Sequence, residues 1–341
     1  MHGLVGALAK EYEDWKIRLV DGCPADPAFL DHVLRVPADP RGDAWVYRAG
    51  EWYRQHLIAC ELEAAPEAPY RRGGVYVVIG GAGGLGEVLS EHVIRTYGAR
   101  LVWLGRSAPT AAIEAKIARL AKLGPAPIYI ACDAADRDSL ERAYRRIKAE
   151  HGQIHGVVHA AIVLRDRSLL QMDEDRFRAS LRAKVDVSVR LAQVFAQEPL
   201  DFVVFFSSLQ SFAKAAGQSN YAAGCAFKDA FASQLARAWP VAVKVINWGY
   251  WGSVGIVASE GYRARMAQLG VGSIEPADGM AALDQLLSSP LSQLVLLKTM
   301  QPATEAAEPP PPAPRAAVGR PAVAEWSPGA VSHPSHQAEQ R

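Results

Sequence analysis

At 341 residues, half of them hydrophobic, the chain is long enough to bury one large core or two modest ones. A formal net charge of +1, with arginines scattered rather than gathered into a basic tract, gives no long-range attraction to nucleic acid or an anionic membrane, so neither is expected as a partner. Cys23, Cys60, Cys132 and Cys225 lack CxxC spacing, the start lacks a leader-like pattern, and no apolar run approaches the ~18 residues of a membrane span; a metal-free cytoplasmic protein is expected.

Leu4, Leu8, Tyr12 and Trp15 recur at helical intervals, and Lys16 to Val20 then alternates like a strand. Ala44 to Arg48 and Trp52 to Leu57, joined by Ala49-Gly50-Glu51, predict an aromatic hairpin. One helix and a few strands make a thin core, so residues 1–70 are expected to pack on the next domain rather than stand alone. Ala64 to Tyr70, with Pro66 and Pro69, is the expected linker.

Val75 to Ile79 predicts a short buried strand, and Val88, Leu89, Val93 and Ile94 predict a helix after Glu87. Between them, Gly80, Gly81, Gly83, Gly84, Leu85 and Gly86 form a glycine-rich turn: Gly80, Gly84 and Gly86 fit GxxxGxG, and Gly81, Gly84 and Gly86 the looser GxxGxG. Strand, glycine turn and helix together point to a dinucleotide site, because glycines let backbone approach a pyrophosphate and the helix start offers free N–H groups. A merely tight turn is the alternative. Further strands are predicted at Leu101–Leu104, Ile128–Ala131, Ile154–His159, Phe202–Phe206, Val243–Ile246 and Leu294–Leu297. Helices are predicted at Ala111–Leu123, Arg137–Glu150, Glu174–Ala196, Ser219–Ala238 and Ala277–Leu287. Near-continuous apolar strands separated by helices imply an α/β, doubly wound parallel Rossmann sheet over residues 71–300. Residues 301–341, rich in proline and alanine and without apolar periodicity, are expected to be a disordered linker.

The second strand ends in Gly105-Arg106-Ser107 with no carboxylate, and arginine there suits a 2′-phosphate, which favours NADPH over NADH; a solvated arginine is the alternative. Asp133, closing the third strand, would meet the adenine amino group or cap the following helix. Phe205-Phe206-Ser207-Ser208 ends a buried strand at two hydroxyls, and Tyr221 opens the next helix, so both lie at the carboxyl edge of the sheet where ligands of this architecture bind. Ketone reduction needs a proton for the developing oxyanion, and a tyrosine as acid with a serine holding the oxygen meets that need.

Together these residues resemble the short-chain dehydrogenase/reductase family, and more closely the ketoreductase domain of modular polyketide synthases. The likeness includes Val158-His159-Ala160-Ala161, Phe206-Ser207-Ser208, Gln218 to Gly224 and Asn247-Trp248-Gly249. It implies NADPH-dependent reduction of a β-ketoacyl phosphopantetheine thioester on an acyl carrier protein, among neighbouring synthase domains. Tyr221 would be the proton donor and Ser208 the orienting hydroxyl, with Ser107, His159, Ala160 and Ala161 along the cofactor. Asp166, Gln218, Trp248 and Gly249 would line the substrate side. Ordinary short-chain reductases carry a lysine where this chain has Cys225; polyketide ketoreductases take theirs from the preceding long helix, where Ala183-Lys184-Val185 matches. Many members have asparagine at Cys225, and Gly224 to Asp229 looks like the variant of synthases with a separate acyltransferase. Residues 1–70 are similar to the end of the family's structural subdomain, and Gly252 to Gly270 to its lid, an ordinary surface helix being the alternative. Leu164 and Asp166 match two positions of a Leu-Asp-Asp mark of B-type enzymes, and the A-type tryptophan position is Ala213, so a D-configured alcohol is implied. A non-catalytic cofactor-binding scaffold and a free-standing reductase are the competing readings.

Overall fold

The structure, a computed structural model, describes residues 1–23, 29–62, 68–255 and 260–300. Most of the expected linker and all of the proline-rich stretch lie outside these residues. The chain opens with α1 (His2–Glu11), β1 (Leu19–Asp21), α2 (Phe29–Arg35), β2 (Ala44–Arg48) and β3 (Glu51–Arg54). β1 pairs parallel with β2, and β2 and β3 form the expected antiparallel hairpin. β3 stops short of Leu57 because Arg54 already pairs with Trp45, near the start of β2, leaving Leu57 and Ile58 exposed. Sequence periodicity missed α2, which spans 7 residues and is too short to show a repeat.

α1 ends at Glu11, short of Trp15, and it buries Gly3, Gly6, Ala7 and Ala9 rather than the Leu4–Leu8 stripe. Close approach explains the inversion: a Cβ on Gly3 would stand 2.1 Å from the carbonyl oxygen of Ala222. Hydrophobic periodicity is blind to a face chosen for smallness.

From Val75 the predicted alternation holds. The elements are β4 (Val75–Ile79), α3 (Gly84–Tyr97), β5 (Arg100–Gly105), α4 (Ala111–Leu120), β6 (Ile128–Ala131), α5 (Arg137–His151) and β7 (Gly156–His159). They continue with α6 (Glu174–Phe195), β8 (Phe202–Ser208), α7 (Gln210–Ala213), α8 (Ser219–Ala238), β9 (Ala242–Trp248), α9 (Glu260–Gln268), α10 (Pro276–Ser288) and β10 (Gln293–Leu296). The seven strands β4 to β10 form one all-parallel sheet in the order β10-β9-β8-β7-β4-β5-β6. Order reverses between β4 and β7, the switch point where such sheets open a crevice at their carboxyl ends.

Both faces of the sheet are buried, which is why its central strands read as continuous apolar runs. Along β4, Val75, Val77 and Ile79 join a core with Leu104, Leu191 and Phe205, while Tyr76 and Val78 join Trp103, Phe206 and Leu283 on the other face. Each fully buried aliphatic side chain contributes about 1.5–3 kcal/mol. The sheet is therefore a rigid floor for the residues at its edge.

Candidate active site

β4 passes into α3 through a turn in which Gly80 stands at φ +85°, and a Cβ there would lie 2.9 Å from both N and Cα of Ala161. Conformation and crowding both demand glycine. The neighbour is set by the sheet, since the Ala160 N–H donates to the Ile79 carbonyl at 2.9 Å. A Cβ on Gly86 would come 2.6 Å from Gly81 Cα, so the first turn of α3 lies directly on the glycine turn. Gly83 is the N-cap and provides no side-chain acceptor, so the N–H groups of Gly84, Leu85 and Gly86 point out of the helix end uncapped by a side chain. This cradle fits the pyrophosphate of a dinucleotide.

Arg106 and Ser107 are exposed at the carboxyl end of β5, with the Ser107 carbonyl accepting from the Tyr129 hydroxyl at 2.8 Å. Asp133 is already engaged: its Oδ1 accepts from the Ala135 N–H at 3.0 Å and its Oδ2 from Arg182 Nη2 at 2.8 Å. Burial alone would raise the Asp133 carboxyl, but Ala135, Arg182 and Arg106 outweigh it and hold the pKa below the ordinary value. Capping of α5 falls to Asp136, which accepts from the Ser139 N–H at 2.8 Å, so the cap considered for Asp133 is corrected.

Ser208, Tyr221 and Lys184 come from β8, the first turn of α8 and the middle of α6, and meet at the carboxyl edge. Lys184 Nζ lies 4.5 Å from the centroid of the Tyr221 ring, and the Ser208 hydroxyl is within hydrogen-bonding reach of the phenol. Burial pushes the Tyr221 phenol up to about 12, against the pull of Lys184 and Ser208. Burial lowers the Lys184 ammonium, yet Cys225 and Tyr221 outweigh it and its pKa is raised, so it remains a cation. Cys225 is fully buried beside Lys184, and burial raises its thiol. Space for the lysine is made by Gly224, where a Cβ would stand 2.8 Å from Lys184 Cδ.

Asp166 and Gln218 also meet, Gln218 Nε2 donating to Asp166 Oδ2 at 2.9 Å. Their neighbourhood is tied to the helices: Asn220 Nδ2 donates to Ser180 Oγ at 2.9 Å, and Ser180 Oγ to the Val163 carbonyl at 3.1 Å. Burial raises the Asp166 carboxyl above its ordinary value.

Three predicted residues are packed against neighbouring strands and side chains. His159 is fully buried beside Phe205, and burial, with the charges of Lys228 and Lys184, takes its pKa well below the ordinary value. Trp248 is a core residue between Phe206 and Trp251, with ring centroids 5.3 and 5.2 Å away. Gly249 packs on β10, where a Cβ would meet the Leu296 carbonyl oxygen at 2.7 Å. Strand alternation puts Trp248 on the sheet face of Phe206 and turns its neighbour Asn247 to the opposite face, level with Ser207.

Sequence reasoning assigned no role to the polar floor under Ser208. Asn247 Nδ2 donates to the Ser208 carbonyl at 3.0 Å and to Asp229 Oδ2 at 2.7 Å, and the fully buried Lys228 donates to the Phe206 carbonyl at 3.0 Å. The signal was present: Cys225, Lys228 and Asp229 follow Tyr221 at helical spacing, so a charged doublet falls on the buried face of α8.

The lid stretch includes α9, where Tyr262 packs against Tyr250 with centroids 5.5 Å apart; residues 256–259 lie outside the described set. Among the described residues no helix is long and apolar enough to cross a membrane.

The profile of the family described as KR domain matches residues 74–253. The chain is 54% identical over 308 residues to polyketide synthase PksN of Bacillus subtilis (strain 168), an alignment covering 90% of this chain and 6% of that protein. It therefore spans a small part of the length of such relatives. Its fold matches the crystal structure of a ketoreductase domain from the bacillaene assembly line with a TM-score of 0.74 at 25% identity, covering 87% of this chain and 73% of that one. An A1-type ketoreductase matches with a TM-score of 0.76 at 28% identity, covering 87% and 63%. The chain belongs to the KR domain family: it is a polyketide synthase ketoreductase domain, an oxidoreductase whose fold implies a nicotinamide cofactor.

Proposed function

We propose that this domain uses NADPH to reduce a β-ketoacyl thioester, carried on the phosphopantetheine arm of an acyl carrier protein, to the D-configured β-hydroxyacyl product. The observation that carries the reading is the meeting of Ser208, Tyr221 and Lys184 at the carboxyl edge of the sheet whose β4 leads into the glycine cradle. The bound dinucleotide supplies the hydride. Ser208 holds the substrate carbonyl oxygen, and Tyr221 gives it the phenolic proton as negative charge develops there. Lys184 stabilises the phenolate left behind, and because it is buried its charge is screened less than it would be in bulk water. Arg106, exposed and facing no competing carboxylate on its own strand end, would take the 2′-phosphate, while Asp133 is neutralised by Arg182.

The D configuration is supported by the Asp166–Gln218 pair at the entrance and by Ala213, where a bulky tryptophan would mark the opposite type. The shared fold does not select between types, so the residues must. Residues 1–70 are read as the end of a structural subdomain, 71–300 as the catalytic unit, and 301–341 as a tether toward neighbouring synthase domains.

Incubation with an unbranched, diffusible β-ketoacyl thioester and NADPH tests the reading. Consumption of NADPH with a 3R alcohol on chiral chromatography is expected. No consumption overturns the activity, and a predominantly L-configured alcohol overturns the assigned type.

A further inference from the structure

The segment from Ala213 to Gln218, which leads into Tyr221, is held from outside by the first helix and by the residue that precedes β2. Lys10 Nζ donates to the Ala213 carbonyl, Lys214 pairs with Asp43, and Glu11 Oε1 accepts from the Gly217 N–H at 2.9 Å. Two of these residues have left-handed backbone, Lys214 at φ +45° and Gly217 at φ +78°, so the anchors fix an unusual path.

The second oxygen of the same carboxylate, Glu11 Oε2, accepts from the Leu169 N–H at 2.7 Å. Leu169 begins the short 3-10 turn directly after the loop that carries Asp166. One side chain at the end of α1 therefore joins the two entrance loops, which the Asp166–Gln218 hydrogen bond joins a second time. α1 itself is seated by Gly3 on Ala222 of α8 and by Gly6 on Lys214 and Gly42, so the carboxylate is not what docks the helix.

We propose that Glu11 is a positioning residue for substrate entry: by fixing the separation of Leu169 and Gly217 it sets where Asp166 and Gln218 meet, and so which carbonyl face is offered to the hydride. It touches no reacting atom and acts through those two side chains. The inference rests on the reading of this domain as a stereoselective ketoreductase. A carboxylate suits the task because both of its oxygens accept, and hydrogen bonds to a charged acceptor are the stronger kind. Glu11→Gln keeps the size but turns one acceptor into a donor, so one of the two N–H groups faces another N–H.

The test compares wild type with Glu11→Gln and Glu11→Asp in the full chain on the unbranched β-ketoacyl thioester. With loss of a charge-assisted tie, KM should rise and the enantiomer ratio fall by about tenfold in Glu11→Gln, with kcat and the NADPH dissociation constant unchanged. Glu11→Asp keeps the charge on a shorter stem, should fall between, and carries the same readouts if Glu11→Gln does not fold. A lower thermal midpoint with wild-type KM and enantiomer ratio would show a merely structural residue and overturn the proposal. If wild type turns over no β-ketoacyl thioester, the functional reading fails and amide hydrogen exchange decides for Glu11. Faster exchange at Leu169 and Gly217 in Glu11→Gln supports the tie, and unchanged exchange overturns it.

Discussion

Lys184 reaches Tyr221 from a helix other than the tyrosine's own, and on the proposed reading the two side chains have separable roles. Tyr221→Phe removes only the transferable proton, so turnover should fall by ~10²–10⁴-fold while NADPH still binds, as fluorescence titration would show. Lys184→Ala should lower turnover and also weaken the dinucleotide, because the substitution removes a buried cation from the proposed site. Lys228 allows a pH test. Burial places its folded-state pKa well below the ordinary lysine value. The folded protein then binds fewer protons at this residue than the unfolded chain, so its contribution is complete above the unfolded value and is lost as pH falls toward the folded one. Wild type should gain thermal stability relative to Lys228→Met between about pH 7 and pH 9, read by scanning calorimetry at both. Serine, tyrosine and lysine were legible as residues of a site, the lysine only through family likeness. The floor beneath them was less legible, because a Lys-Asp doublet in sequence gives no sign that it is buried until Tyr221 fixes the inward face of α8.

The elements show where sequence patterns inform and where they do not. β4 and β8 were visible because strands buried on both faces are apolar at nearly every position. α8 was placed from Ser219 to Ala238, as observed. By contrast, helical periodicity does not reveal the buried face of α1, which sets Gly3 against α8 and Gly6 against Lys214 and Gly42 and leaves Leu4 and Leu8 half-buried. That contact predicts the behaviour of Gly3→Ala. Its new methyl would meet the backbone of Ala222 and Ala223 at 2.1 to 2.4 Å, and backbone in a helix cannot step aside as a side chain can. A loss of about 1–3 kcal/mol in chemical denaturation is expected, the cost of overpacking a tight contact.

At the scale of the whole molecule, the strand order brings the cradle, Arg106 and the Ser208–Tyr221 edge to one side of a single sheet, so cofactor binding should report on global stability. A ligand that binds only the folded state at 100 times its dissociation constant stabilises by about 2.7 kcal/mol. NADPH should therefore raise the thermal midpoint more than NADH at equal concentration, and Arg106→Ala should bring the two shifts together. If NADPH keeps its advantage in the variant, the 2′-phosphate is held by another group. Because the lysine arrives from α6 and is accommodated by the bare backbone at Gly224, the acidity of the tyrosine should follow the width of the seam between two helices. Drift among the small residues of that seam, Ser180, Ala183 and Gly224, would detune the enzyme with its serine, tyrosine and lysine all in place. Genome surveys that score such domains by those three letters would count a silent reductase as a working one.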